Sequence, residues 1–355
     1  MKPINVGLIG TGWCGGIRAH SCTNSALVDE IHIAETNPDR LKEVAAETSA
    51  KTATADYKEL LKNDAIDAYI ISATPETSHY PMARDCLSAG KHVFLEKPIS
   101  LTLEEADELV DLARDNNLKF TIGYSQRFNH KFAYVKKSIQ DGLVGKPVSA
   151  VVSRHITRSL GDKITGRIKL SPAAMEATHD LDFVLWCLEP AKPIRVYSQT
   201  ADGVMREQSD REDTQIILIT MDNGVTLTVS AGWTMPKGYP NYSGTWIEFV
   251  CTDGMLTVDD THRDVILNTV KSGIQLPMSS MPGEQVDHVY AGPMHNETLH
   301  FLEACTYDRP VMVTPEHARM VMEVYMAADL SALRNEPVSL PINDRSILDE
   351  VVPQQ

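Results

Sequence analysis

The chain lacks any C-x-x-C pair and any apolar run near the roughly 18 residues that a membrane span requires. Its six cysteines (Cys14, Cys22, Cys86, Cys187, Cys251, Cys305) are scattered. That spacing excludes a zinc ribbon and a disulfide framework, and it suits a reducing cytosol. Basic residues are scarce: 33 against 48 acidic ones, a net charge of −15. A surface that negative repels a phosphate backbone, and an aromatic content of 6% leaves no stacking stripe, so no nucleic acid partner is expected. Met1-Lys2-Pro3-Ile4-Asn5-Val6 offers neither the apolar core nor the cleavage site of a signal peptide. We therefore expect a cytoplasmic protein with no membrane partner. At 355 residues, with 43% hydrophobic and 23% charged, two globular domains are expected.

Short β-rich runs alternate with helical stretches over the first 125 residues. The runs are Ile4–Ile9, Glu30–Ala34, Ala68–Ala73, His92–Leu95 and Lys119–Tyr124. Amphipathic stretches over Gly15–Asn24, Pro38–Thr48, Tyr57–Asn63, Glu76–Ala89 and Leu103–Asn116 separate them. This spacing predicts βαβ units and a doubly wound parallel sheet, which binds ligands at the carboxyl ends of its strands. The first βα turn, Gly7-Leu8-Ile9-Gly10-Thr11-Gly12-Trp13-Cys14-Gly15, carries G-x-G-x-x-G between a strand and a helix. Gly10 permits the tight turn, Gly12 lets a pyrophosphate reach the backbone, and Gly15 lets helix and strand pack closely. Trp13 and Cys14 belong to the same turn, and core packing explains Trp13 equally well. The second run ends at Glu35, twenty residues beyond Gly15, where an acid accepts ribose hydroxyls and repels a 2′-phosphate. NAD is thus expected rather than NADP, with Arg40 close by in the cofactor set.

Two motifs follow the next strands: Ser72-Ala73-Thr74-Pro75-Glu76-Thr77-Ser78-His79, and Phe94-Leu95-Glu96-Lys97-Pro98. Further on come Gly123-Tyr124-Ser125-Gln126-Arg127-Phe128-Asn129, His179-Asp180-Leu181-Asp182 and Asn296-Glu297-x-x-His300-Phe301. In order and spacing these resemble the Gfo/Idh/MocA family of nicotinamide-dependent sugar and inositol oxidoreductases, over nearly the whole chain. The resemblance implies an N-terminal Rossmann domain (residues 1–125). After it comes an α+β domain (126–355) with a large, mostly antiparallel open sheet for substrate binding and oligomer contacts. It implies that Thr74, Pro75, His79, Glu96, Lys97 and Arg127 join the cofactor set. It also implies that Lys97 and His179 are catalytic and that a dimer or tetramer forms.

The residues of the second part agree with an antiparallel sheet. Runs over Val148–Ile156, Thr214–Met221, Val225–Ser230, Thr245–Val250 and Met255–Val258 are joined by Asp222-Asn223-Gly224 and Thr252-Asp253-Gly254, which read as hairpin turns. Ser272–Gly292 reads as a long loop. A helix over Ala173–Trp186 puts Glu176, His179 and Asp182 on one face, where a carboxylate can orient an imidazole. Taken alone, His179 reads as a helix-start histidine. The family's acid four residues before the histidine is replaced by Met175, and Glu176, one position later, is rotated by about 100° in an α-helix. Arg154, His155 and Arg158 line a polyol pocket or form a solvated face. With Glu176 and Asp182 completing the candidate substrate set, no metal is expected, since His288, His295 and His300 have no ligand spacing.

The expected activity is hydride transfer from a secondary hydroxyl of a sugar, glycoside or inositol to NAD. The alternatives are an NAD-dependent glycosidase working by transient oxidation and elimination, and a non-catalytic NAD sensor.

Overall fold

A computed structural model describes residues 2–165, 168–241, 243–260, 265–275 and 285–352. The chain divides into two compact units, Met1–Phe128 with Met281–Arg319, and Asn129–Ser280 with Met320–Gln355. A single boundary at 125/126 falls near the first crossing but does not anticipate the return of the later segment to the first unit. That return has an apolar cause. Phe301 and Leu302 are fully buried in one core with Val6, Leu8, Ile33, Ile70 and Phe94.

In the first unit, β1 (Ile4–Ile9), β2 (Val28–Ala34), β3 (Thr52–Thr54), β4 (Ala68–Ile71), β5 (His92–Leu95) and β6 (Phe120–Ile122) form one sheet in the order β3-β2-β1-β4-β5-β6. Every neighbouring pair is parallel. Ala68-Tyr69-Ile70-Ile71 and Val93-Phe94-Leu95 are buried without alternation, as strands covered on both faces must be. Helices α1 (Trp13–Thr23), α2 (Pro38–Glu47), α3 (Tyr57–Leu61), α4 (His79–Ser88) and α5 (Leu103–Asp115) connect them. Local chemistry fixes their starts. Asn37 accepts from the Asp39 and Arg40 amides ahead of Pro38, and Thr102 accepts from the Glu105 amide. Strand order reverses between β1 and β4, which opens a crevice at their carboxyl ends.

In the second unit, β7 (Pro147–Thr157), β8 (Pro193–Ala201), β9 (Thr214–Met221), β10 (Thr226–Met235), β11 (Ser243–Cys251), β12 (Met255–Asp259) and β13 (Val338–Ser339) form a sheet in the order β12-β11-β7-β10-β9-β8-β13. Its pairs are antiparallel except β7 with β10. Both expected hairpin turns are present, and Gly224 adopts φ +88° in the first. Helices α6 (His130–Gln140), α7 (Arg158–Thr165), α8 (Thr178–Leu188) and α9 (Val204–Ser209) also belong here. An aromatic chain of Phe132, Phe183 and Phe249 packs α6 and α8 against one face of the sheet. The Ser272–Gly292 stretch, read as a loop, contains Gly273–Gln275, which pairs with the preceding Leu267–Thr269, and the pair Gln285–Val286 with Val289–Tyr290, while 276–284 lie outside the described residues. Two longer helices, α10 (Pro293–Tyr307) and α11 (Pro315–Arg334), follow.

Candidate active site

The Gly-rich turn sits at the carboxyl end of β1. Gly10 has φ +81°, and a Cβ there would lie 2.7 Å from the Ala73 Cα. A Cβ on Gly15 would run into the Gly10 carbonyl, while one on Gly12 would meet nothing within 4 Å. The turn is therefore closed on its protein side and open above Gly12, where α1 begins with no side-chain cap. Uncapped amides and the positive end of the helix dipole form an anion cradle there. Trp13 is 58% exposed at this opening, so core packing does not account for it. Burial pushes the Cys14 thiol up to about 12, with Glu96 adding to the rise, so Cys14 contributes backbone and packing and no thiolate.

Glu35, at the end of β2, braces this turn. Its Oε2 accepts from the Thr11 amide at 2.7 Å and the Thr11 hydroxyl at 3.1 Å, and its Oε1 accepts from the Asn37 amide at 2.9 Å. Burial alone would raise its carboxyl, but the Asn37 and Thr11 N–H groups outweigh burial and hold it below the usual carboxylate range. Arg40 donates Nε to the Thr11 carbonyl at 2.7 Å and pairs with Glu43 at 2.6 Å.

The next two loops are joined by a histidine. His79 is buried, with Nδ1 2.7 Å from the Pro98 carbonyl and Nε2 3.0 Å from the Ala73 carbonyl. Its ring ties the loop of exposed Thr74 and Pro75 to the Glu-Lys-Pro loop. Lys97 lies half-buried just past β5. Arg127 is buried and donates Nη1 to the Met312 carbonyl at 2.9 Å.

Arg18 and Glu297 complete this side, and residue-level reading of the sequence missed both. Arg18, in the middle of α1, is 1% exposed. Its Nη2 reaches Glu96 Oε1 at 2.6 Å and Glu297 Oε2 at 2.8 Å, Nη1 donates to Thr298, and the guanidinium lies 3.9 Å from the Phe94 ring centroid. Glu96 lies close over Gly123, where a Cβ would come within 2.8 Å of its Oε2. A legible signal existed, because Arg18 interrupts the stripe Cys14–Cys22 at a spacing of four.

In the second unit, the helix read as continuous over Ala173–Trp186 begins with a π-helical turn, Ala173–Ala177, before α8. The α-helical step of 100° therefore does not hold there, and such wide turns recur at functional sites. Glu176 Oε2 accepts from Arg154 Nε at 3.1 Å, and Asp180 Oδ2 lies 3.6 Å from the same nitrogen. His179 is half-buried, Asp182 is fully buried, and Met175 is in the core. Strand alternation separates Arg154 from His155. Arg154 sits on the helix-covered face, whereas His155 meets Ser230 at 3.3 Å on the opposite one, and burial lowers its imidazole from the ordinary value. Arg158 donates Nε to the Thr234 carbonyl at 3.1 Å.

The three later histidines go to separate partners. His288 pairs with Asp287, His295 with the Ser21 hydroxyl, and His300 accepts from the Met312 amide. Among the described residues, no group of three metal-ligand side chains converges and no helix is long and apolar enough to cross a membrane.

The family model described as "Oxidoreductase family, NAD-binding Rossmann fold" matches residues 4–124, and the "GFO/IDH/MocA C-terminal domain" model matches 132–257. The chain belongs to the Gfo/Idh/MocA oxidoreductase family. Among members of that family, it is 24% identical to the uncharacterized oxidoreductase YrbE of Bacillus subtilis over 96% of this chain and 97% of that one. It is 26% identical to the scyllo-inositol 2-dehydrogenase (NAD(+)) of the same organism, over 85% and 86%. In fold it is similar to the scyllo-inositol dehydrogenase of Lactobacillus casei solved with NAD(H) and scyllo-inositol, with a TM-score of 0.82, 21% identity, and coverage of 95% and 99%. Both Gfo/Idh/MocA halves are thus present in their family order.

Proposed function

We propose that this protein is an NAD-dependent dehydrogenase that oxidises a secondary hydroxyl of a sugar, glycoside or inositol. The observation that carries the reading is the cradle above Gly12, open to a ligand and edged by an ionised carboxylate. The inositol dehydrogenases named above support the substrate class. The backbone of Gly10 to Gly15 would hold the pyrophosphate, and Glu35 the ribose. Glu35 is already fixed in place and ionised by its bonds from Thr11 and Asn37. The same fixed charge opposes a 2′-phosphate, and Arg40 is already paired with Glu43, so NAD is favoured over NADP. Thr74, Pro75, His79, Glu96 and Arg127 shape the adjoining loops.

When bound, NAD supplies the hydride acceptor. His179 takes the hydroxyl proton, and Lys97 donates a hydrogen bond to the same oxygen and stabilises its developing negative charge. Glu176, held by Arg154, acts with Arg154 and Asp182 in orienting the substrate rather than as a substitute for an acid at Met175. The six free cysteines support a cytoplasmic location.

Absorbance of reduced nicotinamide, followed with NAD and then NADP across inositols, aldoses and glycosides, tests this reading. Steady NADH formation with one polyol class is expected, faster with NAD, and Glu35→Ala should narrow that preference. Sugar released from a glycoside without net NADH would overturn it in favour of redox-assisted cleavage. NAD binding without any turnover would overturn it in favour of a sensor.

The outer face of the second sheet supports assembly with further copies of the chain. Val151, Tyr197, Ile216, Leu218, Trp246 and Val250 are each 36–50% exposed there, on β7, β8, β9 and β11, and exposed apolar side chains gathered on one face mark an interaction site. Light scattering should report a dimer or tetramer, and Ile216→Lys with Leu218→Lys should dissociate it. A wild-type monomer would overturn the assembly.

A further inference from the structure

The wide turn that leads into the His179 helix needs an anchor, because its first amides have no partner within the helix. Three interactions supply one. The Ala173 amide donates to Gln215 Oε1 at 3.0 Å, the Ala174 amide donates to Ser171 Oγ at 3.1 Å, and the Met175 amide donates to the Ser171 carbonyl at 3.0 Å. Both side chains in this anchor are themselves held by one carboxylate. Asp329 on α11 accepts from Ser171 Oγ through Oδ2 at 2.9 Å and from Gln215 Nε2 through Oδ1 at 3.0 Å. Gln215 is fully buried, and its second Nε2 hydrogen goes to Ser198 Oγ at 3.1 Å, so its amide orientation is fixed on both sides.

We infer that Asp329 is a positioning residue for His179, acting through Ser171 and Gln215 on the turn from which the His179 helix starts. The inference rests on the reading of His179 as the proton acceptor, but its geometry does not depend on that reading. The two hydrogen bonds run toward the carboxylate, so Ser171 Oγ keeps its lone pairs for the Ala174 amide and Gln215 keeps its oxygen for the Ala173 amide. With an apolar residue at 329, Ser171 would lose the acceptor that orients its hydroxyl and Gln215 would keep only Ser198 on its Nε2 side, so the acceptors of two buried amides would be loosened. Burial pushes the Asp329 carboxyl up to about 7, Ser171 and Gln215 oppose that rise, and the nearby charge of Glu212 adds to it. The group is thus held in this network against a desolvation cost, which a surface carboxylate would not bear.

Hydrogen–deuterium exchange over 173–179, measured on the full chain beside steady-state kinetics, tests the inference. Asp329→Ala should raise exchange of these amides at least about tenfold, the loss of one net hydrogen bond of about 1.4 kcal/mol. It should lower kcat with the KM for NAD unchanged. Asp329→Asn, which can still accept from one partner and donate to Ser171, should restore most of both. Should Asp329→Ala fail to fold, Ser171→Ala makes the same cut at a single hydroxyl, and the same exchange rise is expected. Unchanged exchange in Ser171→Ala and Asp329→Ala would overturn the inference, as would raised exchange with kcat intact. A wild type that turns over no polyol would sink the dehydrogenase reading instead, and the exchange measurement would still decide whether Asp329 holds the turn.

Discussion

Lys97→Ala and His179→Ala should each lower turnover by about 10²–10⁴-fold, the usual worth of a positioned acid–base or charge-stabilising group. Fluorescence titration should find NAD binding in both variants near that of the wild type. The reasoning is chemical. With no base to take the hydroxyl proton, the alcohol stays protonated and is a poor hydride donor. Without a cation beside the oxygen, its growing negative charge loses a stabilising partner. The proposed NAD cradle is the backbone of Gly10 to Gly15 with Glu35, which Thr11 and Asn37 hold in place. Turnover unchanged in both variants would refute the assignment. Loss of NAD binding with Lys97→Ala would instead make Lys97 a cofactor ligand alone.

The second large effect concerns stability. Arg18→Met should lower the free energy of unfolding by about 3–5 kcal/mol, because it strands Glu96 and Glu297 without their shared counter-charge. Glu297 is 2% exposed and Glu96 15%, so water can compensate little. Against a total stability of about 5–15 kcal/mol, such a loss is severe. Met keeps the apolar contact with Phe94, which makes the charge the main variable. Urea unfolding should show the midpoint fall, and adding Glu297→Gln should restore part of it. Weaker NAD binding is expected alongside, since Arg18 ties α1, whose first turn forms the cradle, to the Glu-Lys-Pro loop. A midpoint equal to that of the wild type would show that the cluster contributes no net stability.

Much of the first unit was legible in the sequence because its determinants are local. Alternating βαβ pattern, Asn37 ahead of Pro38, and glycines at Gly10 and Gly15 each act over a few residues, so the sheet, the helix starts and the cradle could be read directly. The hairpin turn at Asn223-Gly224 was legible for the same reason: it requires positive φ at one defined position. Short β3 was not, since Thr52–Thr54 is a three-residue edge strand that carries no periodicity of its own.

Contacts distant in sequence are a different matter. The sequence by itself determined the parallel α/β plan of the first part, the mostly antiparallel sheet of the second, the Gly-rich turn between β1 and α1, and the placing of Lys97 just past a strand. Only the tertiary structure decided that Arg18 joins Glu96 to Glu297, that Arg154 takes Glu176 and Asp180 while His155 faces away, and that Asp329 reaches back to Ser171. The physical reason is that period and propensity specify which face of an element is buried. The partner of a buried charge is chosen by packing of segments up to 280 residues apart, and no local pattern encodes that choice.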